Sequence, residues 1–339
     1  MTQGARVRLL VVCAAGWCAG AAVAQQQPPR PTAVWIDTDP AIGVPDRDVD
    51  DGFALLQAFH SPELQIRGVS VVFGNAPLSQ AWPIGRRIVR RFGPAGLQAY
   101  RGAAAGSGLG IETAASRALA AALVREPLVV IALGPATNVA TVVRNHPELT
   151  VRIVRIVAVA GRRPGQRFTT GTLNTNAHRD FNFEQDPDAF RAILASSARL
   201  TLAGFEVSSK VWVTGEDLAL LAHGSAGARW MAAPARRWLG LWTRTFGVDG
   251  FNPFDTLAIA AVASPDLVMC EELPVRIDVR PDDVTEQRMQ GTTVADKPYL
   301  IVSRTFESKR TVEYCTTPAP AFKADLLRRL TSDNHPRTR

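Results

Sequence analysis

The sequence predicts an α/β protein: an open, doubly wound fold whose mainly parallel central sheet is flanked by helices, with a small antiparallel addition near the C-terminus. Three observations carry this expectation. Short, continuously apolar runs at 34–36, 66–72, 128–133, 153–159 and 200–203 read as strands buried on both faces. Stretches of helical periodicity alternate with them, which is the pattern of a parallel sheet covered by helices. About 315 residues follow an N-terminal leader, enough to bury one large core, with no internal repeat or low-complexity linker to divide it.

Arg6 and Arg8 precede an apolar run over 9–24 that ends Ala22-Val23-Ala24 before Gln25. A positive n-region, an apolar h-region and small residues at a cleavage site make 1–24 a signal peptide. The run is short for a membrane span, so no stable membrane insertion is expected after cleavage. Cys13 and Cys18 lack the small residues that precede a lipidated cysteine. Residues 25–32 read as a flexible lead-in, 33–332 as a single domain and 333–339 as a tail. The chain is expected to be exported, and periplasmic if the host is Gram-negative.

Within the domain, strand 34–36 leads to a helix at 52–59. Strand 66–72 ends in Phe73-Gly74-Asn75, and a helix follows at 78–92 despite Pro83. An Ala-rich helix at 113–124 precedes the all-apolar strand 128–133, then Gly134-Pro135-Ala136-Thr137-Asn138 and a further helix. After strand 153–159, Asp186-Pro187 opens a helix to residue 195. Strand 200–203 is followed by a helical stretch over 215–246 carrying Trp230, Trp238 and Trp242, and by a short apolar helix at 255–263. Residues 275–302 read as antiparallel strands, and 321–330 as a closing helix.

Formal charge is +7 and falls to +5 once Arg6 and Arg8 leave. The arginine pairs 86/87, 90/91, 162/163, 236/237 and 328/329 are scattered and read as solvated faces. No nucleic-acid-binding signature accompanies them, so no nucleic-acid partner is expected. Cys270 and Cys315 remain after export. An oxidising compartment permits a bridge between them, and buried thiols are the alternative.

The chemistry is concentrated in AVWIDTDPAIGVPDRDVDDGFALL, residues 33–56. Asp37, Asp39, Asp46, Asp48, Asp50 and Asp51 fall within fifteen residues. Asp37 and Asp39 alternate onto one face of a strand end, and Asp50 and Asp51 open a helix. Carboxylates packed together raise one another's pKa unless a cation joins them. A hard divalent metal answers that with oxygen ligands alone. The bland alternative makes Asp50 a helix cap with Asp51 on the helix dipole, and Asp46 and Asp48 solvated turn acids. That alternative covers Asp46 and Asp48 but leaves DTDP and VDD together unexplained. None of the five histidines falls at a metal-motif position, which argues against zinc.

In the order IDTDP…DVDDGFALL, GVSVVFGN, VVIALGPATNVA, NTNAHRDFNFEQDPDAF, LAGFEVSSK and FDTLA, the chain resembles the inosine-uridine preferring nucleoside hydrolases, from about residue 34 to about residue 330. The resemblance implies a calcium-dependent hydrolysis of the N-glycosidic bond of small-molecule ribonucleosides to ribose and free base. Calcium would hold the ribose 2′- and 3′-hydroxyls and the attacking water. On these motifs Asp39 matches the metal-bound general base, Asp51 a bidentate calcium ligand and Asp255 the last calcium ligand. Leu133 stands where the family offers a backbone carbonyl to the metal. Asp50 matches the acid on the ribose 2′-hydroxyl, Asp37 a supporting acid, and Asn75 a residue beside the ribose and the water. Asn174, Asp180 and Asn182 match the groups that hold the ribose hydroxyls; Asp180 is one methylene shorter than the usual glutamate. A homo-oligomer is compatible with the resemblance.

Two departures are visible. The loop between Pro40 and Asp50 is longer than the family's short PGxDD form. Phe254 precedes Asp255 where many members carry a histidine that helps the base leave, which bears on substrate class. His178, between Asn174 and Asp180, is within reach of that acid role, with a solvated loop histidine as the alternative. Trp238 and Trp242 are suited to stacking on a base, with core packing as the alternative at their helical spacing. Three function classes remain: the hydrolase; an exported binding protein with the same metal and ribose site but little turnover; and a magnesium phosphatase, from the loose likeness of DTDP to an Asp-x-Asp nucleophile, which leaves Asn174 to Asn182 unexplained.

Overall fold

The structure, a computed structural model, describes residues 30–174, 176–283 and 295–332 together with Met1. Most of the expected leader and lead-in, and the tail from 333, lie outside the described residues. Residues from Pro31 onward form one compact unit.

Nine strands form a single sheet: β1 (Thr32–Thr38), β2 (Leu64–Val71), β3 (Ala99–Arg101), β4 (Leu128–Ala132), β5 (Ile153–Ala158), β6 (Leu200–Leu202), β7 (Val268–Pro281), β8 (Asp296–Val302) and β9 (Thr311–Pro318). Their order is β3-β2-β1-β4-β5-β6-β9-β7-β8. All pairings from β3 across to β9 are parallel, and β7 pairs antiparallel with both β9 and β8. This is the doubly wound sheet with an antiparallel C-terminal addition that the sequence predicts. Eleven α-helices are described: α1 (Asp50–Phe59), α2 (Leu78–Phe92), α3 (Ala114–Arg125), α4 (Thr137–Asn145), α5 (Phe181–Gln185), α6 (Pro187–Ala195), α7 (Phe205–Ser208), α8 (Gly215–Leu221), α9 (Ala226–Phe246), α10 (Phe254–Ala263) and α11 (Phe322–Thr331).

The sheet divides the core in two, as alternation along a strand requires. In β1, Val34 and Ile36 join the apolar cluster with α1, α10 and α11. Trp35 points the other way, into the cluster with α3, α4 and α6. Both faces of β1 are thus dry, which explains its unbroken apolar run. The chain runs from β1 outward to β2 and β3 and then crosses back to β4. That reversal leaves a crevice beyond the carboxyl ends of β1 and β4, where ligands bind in such sheets.

The structure adds β3, α5 and α7 to the expected elements and corrects them in three further places. The helical stretch 215–246 is two helices, broken at His223-Gly224-Ser225, where the Ser225 side chain accepts from the Ala228 amide and starts α9. Strand β9, absent from the expectation, lies between β6 and β7 and joins the parallel and antiparallel parts. The antiparallel region begins at Val268, and its residues 284–294 lie outside the described set. Cys270 and Cys315, left open by the sequence, form a disulfide between β7 and β9. Among the described residues no helix is long and apolar enough to cross a membrane.

Candidate functional site

Every expected acid stands at the carboxyl end of a parallel strand or at the start of a helix beside it. Asp37 and Asp39 end β1, Asp50 and Asp51 open α1, and Asp255 lies in the first turn of α10. Helix N-termini favour negative charge, so α1 and α10 offset part of the repulsion that so many acids create. Asp39, Asp50, Asp51 and Asp255 are each at most 4% exposed. Oxygens of Asp50, Asp51 and Asp255 lie within 4.8 Å of one another.

Asp39 sits against Asp51 rather than inside that trio. Asp51 Oδ1 accepts from the Asp39 amide at 3.0 Å and from the Thr38 hydroxyl. Asn75 bridges the two acids: its amide donates to Asp39 Oδ2 at 2.7 Å, and its Nδ2 donates to Asp51 Oδ2 at 3.2 Å. Asp39 Oδ1 is buried without a partner. Two glycines let the backbone close on this carboxylate. A Cβ at Gly74 would lie 1.9 Å from Asp39 Oδ2, and one at Gly134 would lie 2.5 Å from Oδ1. Asp37 is a layer deeper. Its Oδ1 accepts from Asn138 Nδ2 at 2.8 Å and from the Ser70 hydroxyl, which itself accepts from Trp35 Nε1.

The electrostatics follow from burial. Burial pushes Asp37 up to about 7 and raises Asp39, Asp50 and Asp255 well above the ordinary carboxylate range, with neighbouring acids adding to the rise. Asp51 is raised by burial and held back by Thr38, the Asp39 amide and Asn75. Among the described residues no lysine or arginine forms an ion pair with these five acids. Ionising these acids together therefore calls for a cation that the described residues do not supply. The residues fit a hard divalent cation, since oxygens on opposite sides of a calcium ion stand up to about 5 Å apart.

Above the floor opens a cleft of about 470 Å³. Its polar lining includes Asn75, Asn174, Asp180 and Asn182. Asn182, in the first turn of α5, donates to the Leu133 carbonyl at 2.6 Å and to that of Val159 at 3.1 Å. The Leu133 carbonyl, expected to face the metal, is thus also a partner of Asn182. Asp180 Oδ2 accepts from the Gly161 amide at 2.9 Å, and burial pushes the acid up to about 6. Asn174 is half-buried, its Oδ1 accepting from the Asn176 amide.

The same cleft is lined by a cluster of aromatic rings. Phe254 lines the cleft, with its ring centroid 6.1 Å from that of Phe205 and 6.3 Å from that of Trp242. Trp242 both lines the cleft and packs among Trp212, Trp238, Phe246 and Phe251, so its stacking and core readings hold together. His178 lines the cleft edge-on to Phe246 at 5.1 Å, and burial lowers its pKa.

Sequence reasoning missed several contributors. Ser70, Thr38 and Asn138 support the acids; Asn138 belongs to GPATN, a motif too plain to single out. Phe168, Phe205 and Phe246 complete the aromatic cluster. Asp48, expected as a solvated turn acid, accepts from the Val49 and Asp50 amides, and burial pushes it up to about 6. With Asp46 it lines the cleft. Glu184, a nearly buried acid, accepts from the Asp180 amide, from Arg179 and from Lys297, and ties this segment to β8.

The model of the inosine-uridine preferring nucleoside hydrolase family matches residues 34–319. The chain belongs to that family. This nucleoside hydrolase is 24% identical over 283 residues to a probable uridine nucleosidase 2 of Oryza sativa subsp. japonica, covering 75% of this chain and 80% of that protein. Its fold is shared by a plant nucleoside hydrolase, at a TM-score of 0.71 and 21% identity over 89% of this chain and 99% of that one. A purine-preferring ribonucleoside hydrolase from Gardnerella vaginalis superposes at a TM-score of 0.69 and 20% identity, over 88% and 98% of the two chains.

Proposed function

We propose that this nucleoside hydrolase cleaves the N-glycosidic bond of ribonucleosides to ribose and free base in a calcium-dependent reaction, with Asp39 as general base. The observation that carries the reading is the convergence of Asp50, Asp51 and Asp255 within 4.8 Å at a cleft lined by both polar and aromatic residues. A bound calcium would supply charge and Lewis acidity to the ribose diol and the attacking water. Asp50, Asp51 and Asp255 are the converging groups that would hold it, and the family resemblance adds Asp39 and the Leu133 carbonyl beside them.

The chain's own residues account for the rest. Asn75 fixes Asp39 through Oδ2, so Oδ1 remains the atom that takes a proton from water. Asp50, Asn174, Asp180 and Asn182 clamp the sugar hydroxyls. The buried acids sit where the ribosyl ring gains positive charge as the bond breaks, and low-dielectric burial strengthens that stabilisation. The aromatic cluster receives the flat base and excludes water. The leader and the Cys270–Cys315 disulfide both support export to an oxidising compartment.

The binding-protein alternative draws on Phe254 alone, which has no proton to give the departing base. A nucleoside panel assayed for free base and reducing sugar, with and without a calcium-selective chelator, separates the two. The expected result is chelator-sensitive release from uridine and inosine, with 2′-deoxynucleosides much slower because the groups built for the diol are left unpaired. Tight binding without release would establish the alternative.

A further inference from the structure

Beside the cleft, and joined to it at Asp46, Arg47 and Trp238, lies a second cavity of about 310 Å³ that the hydrolase reading does not use. One wall is the long loop after β1, and the other is a face of α9. Four arginines line it, Arg47, Arg236, Arg237 and Arg244, with one acidic residue, Asp46. Positions 236, 240 and 244 recur at helical spacing on one side of α9. The middle one is Gly240, and the Arg244 guanidinium lies over it: a Cβ there would stand 3.2 Å from Arg244 Nη1.

Among the described residues none of the four arginines has a carboxylate partner. Unpaired arginines occur elsewhere on the surface; here four of them line one cavity, whereas Arg162, Arg163, Arg179, Lys297 and Arg329 are ion-paired. Four like charges around one small cavity repel unless an anion joins them, and guanidinium forks match carboxylate and phosphate oxygens. The loop couples this cavity to the reaction site through a few bonds of chain. Arg47 faces the arginine cavity, while the next residue, Asp48, fixes the amides of Val49 and Asp50 at the acidic floor. The floor and the cleft acids would repel an anionic substrate whose charge had no other place to go.

We propose that this cavity is an anion subsite of the nucleoside site. It takes a carboxylate or phosphate carried by a ribonucleoside whose sugar rests on the acidic floor. The inference rests on the hydrolase reading for the placement of the sugar. Two sources of the oxyanion are distinguished by the ligand used: orotidine carries a carboxylate on the base, and uridine 5′-monophosphate carries a phosphate on the ribose.

The test compares these two with uridine on the full calcium-loaded protein, by turnover and by calorimetric affinity, in wild type, in the double variant Arg236→Gln/Arg237→Gln and in Arg244→Gln. These arginines are exposed, so folding is retained and circular dichroism verifies it. Wild type is expected to bind one anionic ligand at least about tenfold more tightly than uridine, the scale of a charge-assisted contact. The variants should shrink that ratio toward one, and added salt should weaken the anionic ligand alone. Uridine bound as tightly as both anionic ligands, or a ratio unchanged in the variants, overturns the subsite while leaving the hydrolase reading intact. Arginine-dependent binding of an anionic ligand, with uridine neither bound nor cleaved, keeps the subsite and overturns the hydrolase reading. Binding of none of the three overturns both.

Discussion

At the residue scale, Phe254 and Gly74 act in opposite ways, one by missing chemistry and the other by missing volume. Phe254 occupies the cleft wall beside Asp255 but cannot donate a proton. A general acid is worth about 10²–10⁴-fold. Substrates whose leaving group needs no proton should therefore outpace natural ones, with p-nitrophenyl riboside turned over far faster than inosine. Phe254→His should raise the inosine rate by about tenfold or more and change the activated riboside little. Equal gains on both substrates would mean that the histidine acts by packing and not by proton donation. Gly74 concerns space alone. Because a Cβ there would meet Asp39 Oδ2 at 1.9 Å, even alanine must displace the carboxylate. A misplacement of about 1 Å costs on the order of 100-fold in rate. Gly74→Ala should lose at least that in kcat, with a near-native far-ultraviolet spectrum and melting temperature.

At the element scale, legibility follows burial. Strands β1, β4 and β5 are buried on both faces toward their carboxyl ends and are readable as continuous apolar runs. Strand β9 is not, because its alternation of Val312, Tyr314 and exposed or half-buried polar residues is too short a signal. The break between α8 and α9 is hidden by helical periodicity on both sides of Gly224. In the site, the acids are legible because like charges crowded in sequence demand an explanation. Their supports are not: Ser70, Asn138 and Glu184 are ordinary polar residues until the fold brings them to Asp37 and Asp180. The disulfide is beyond sequence because partners 45 positions apart are placed by the register of β7 on β9. Closing a loop of that length is worth about 4 kcal/mol in the chain-entropy view. Cys270→Ser, or reduction of the native protein, should lower the melting temperature by several degrees while leaving KM unchanged, since neither cysteine lines the cleft. A melting temperature insensitive to reductant would show that the strand pairing alone carries this edge of the sheet.

At the scale of the whole molecule, the buried acids make stability a function of pH and of the cation together. In the folded state burial raises Asp37 to about 7 and Asp48 and Asp180 to about 6, and it raises Asp39 and Asp255 well above their unfolded value near 3.8. Between those limits the folded protein binds more protons than the unfolded chain. The linkage slope is then negative, and stability present below about pH 4 is lost as pH rises through the folded values. A tenfold change in the proton affinity of one carboxyl is worth about 1.4 kcal/mol, so Asp37 alone makes the loss measurable. The metal-free protein should thus be more stable near pH 5 than near pH 7.5, opposite to the usual behaviour of ion-paired carboxylates. Calcium binds the ionised acids and reverses this, with a gain of about 2.7 kcal/mol at a hundredfold excess over its Kd. Urea titrations at pH 5 and 7.5, with calcium and with chelator, should give a steep fall with pH only when chelator is present. If the chelated protein is equally stable at both values, the acids ionise together without a counter-charge, and the cation is not what holds this floor in place.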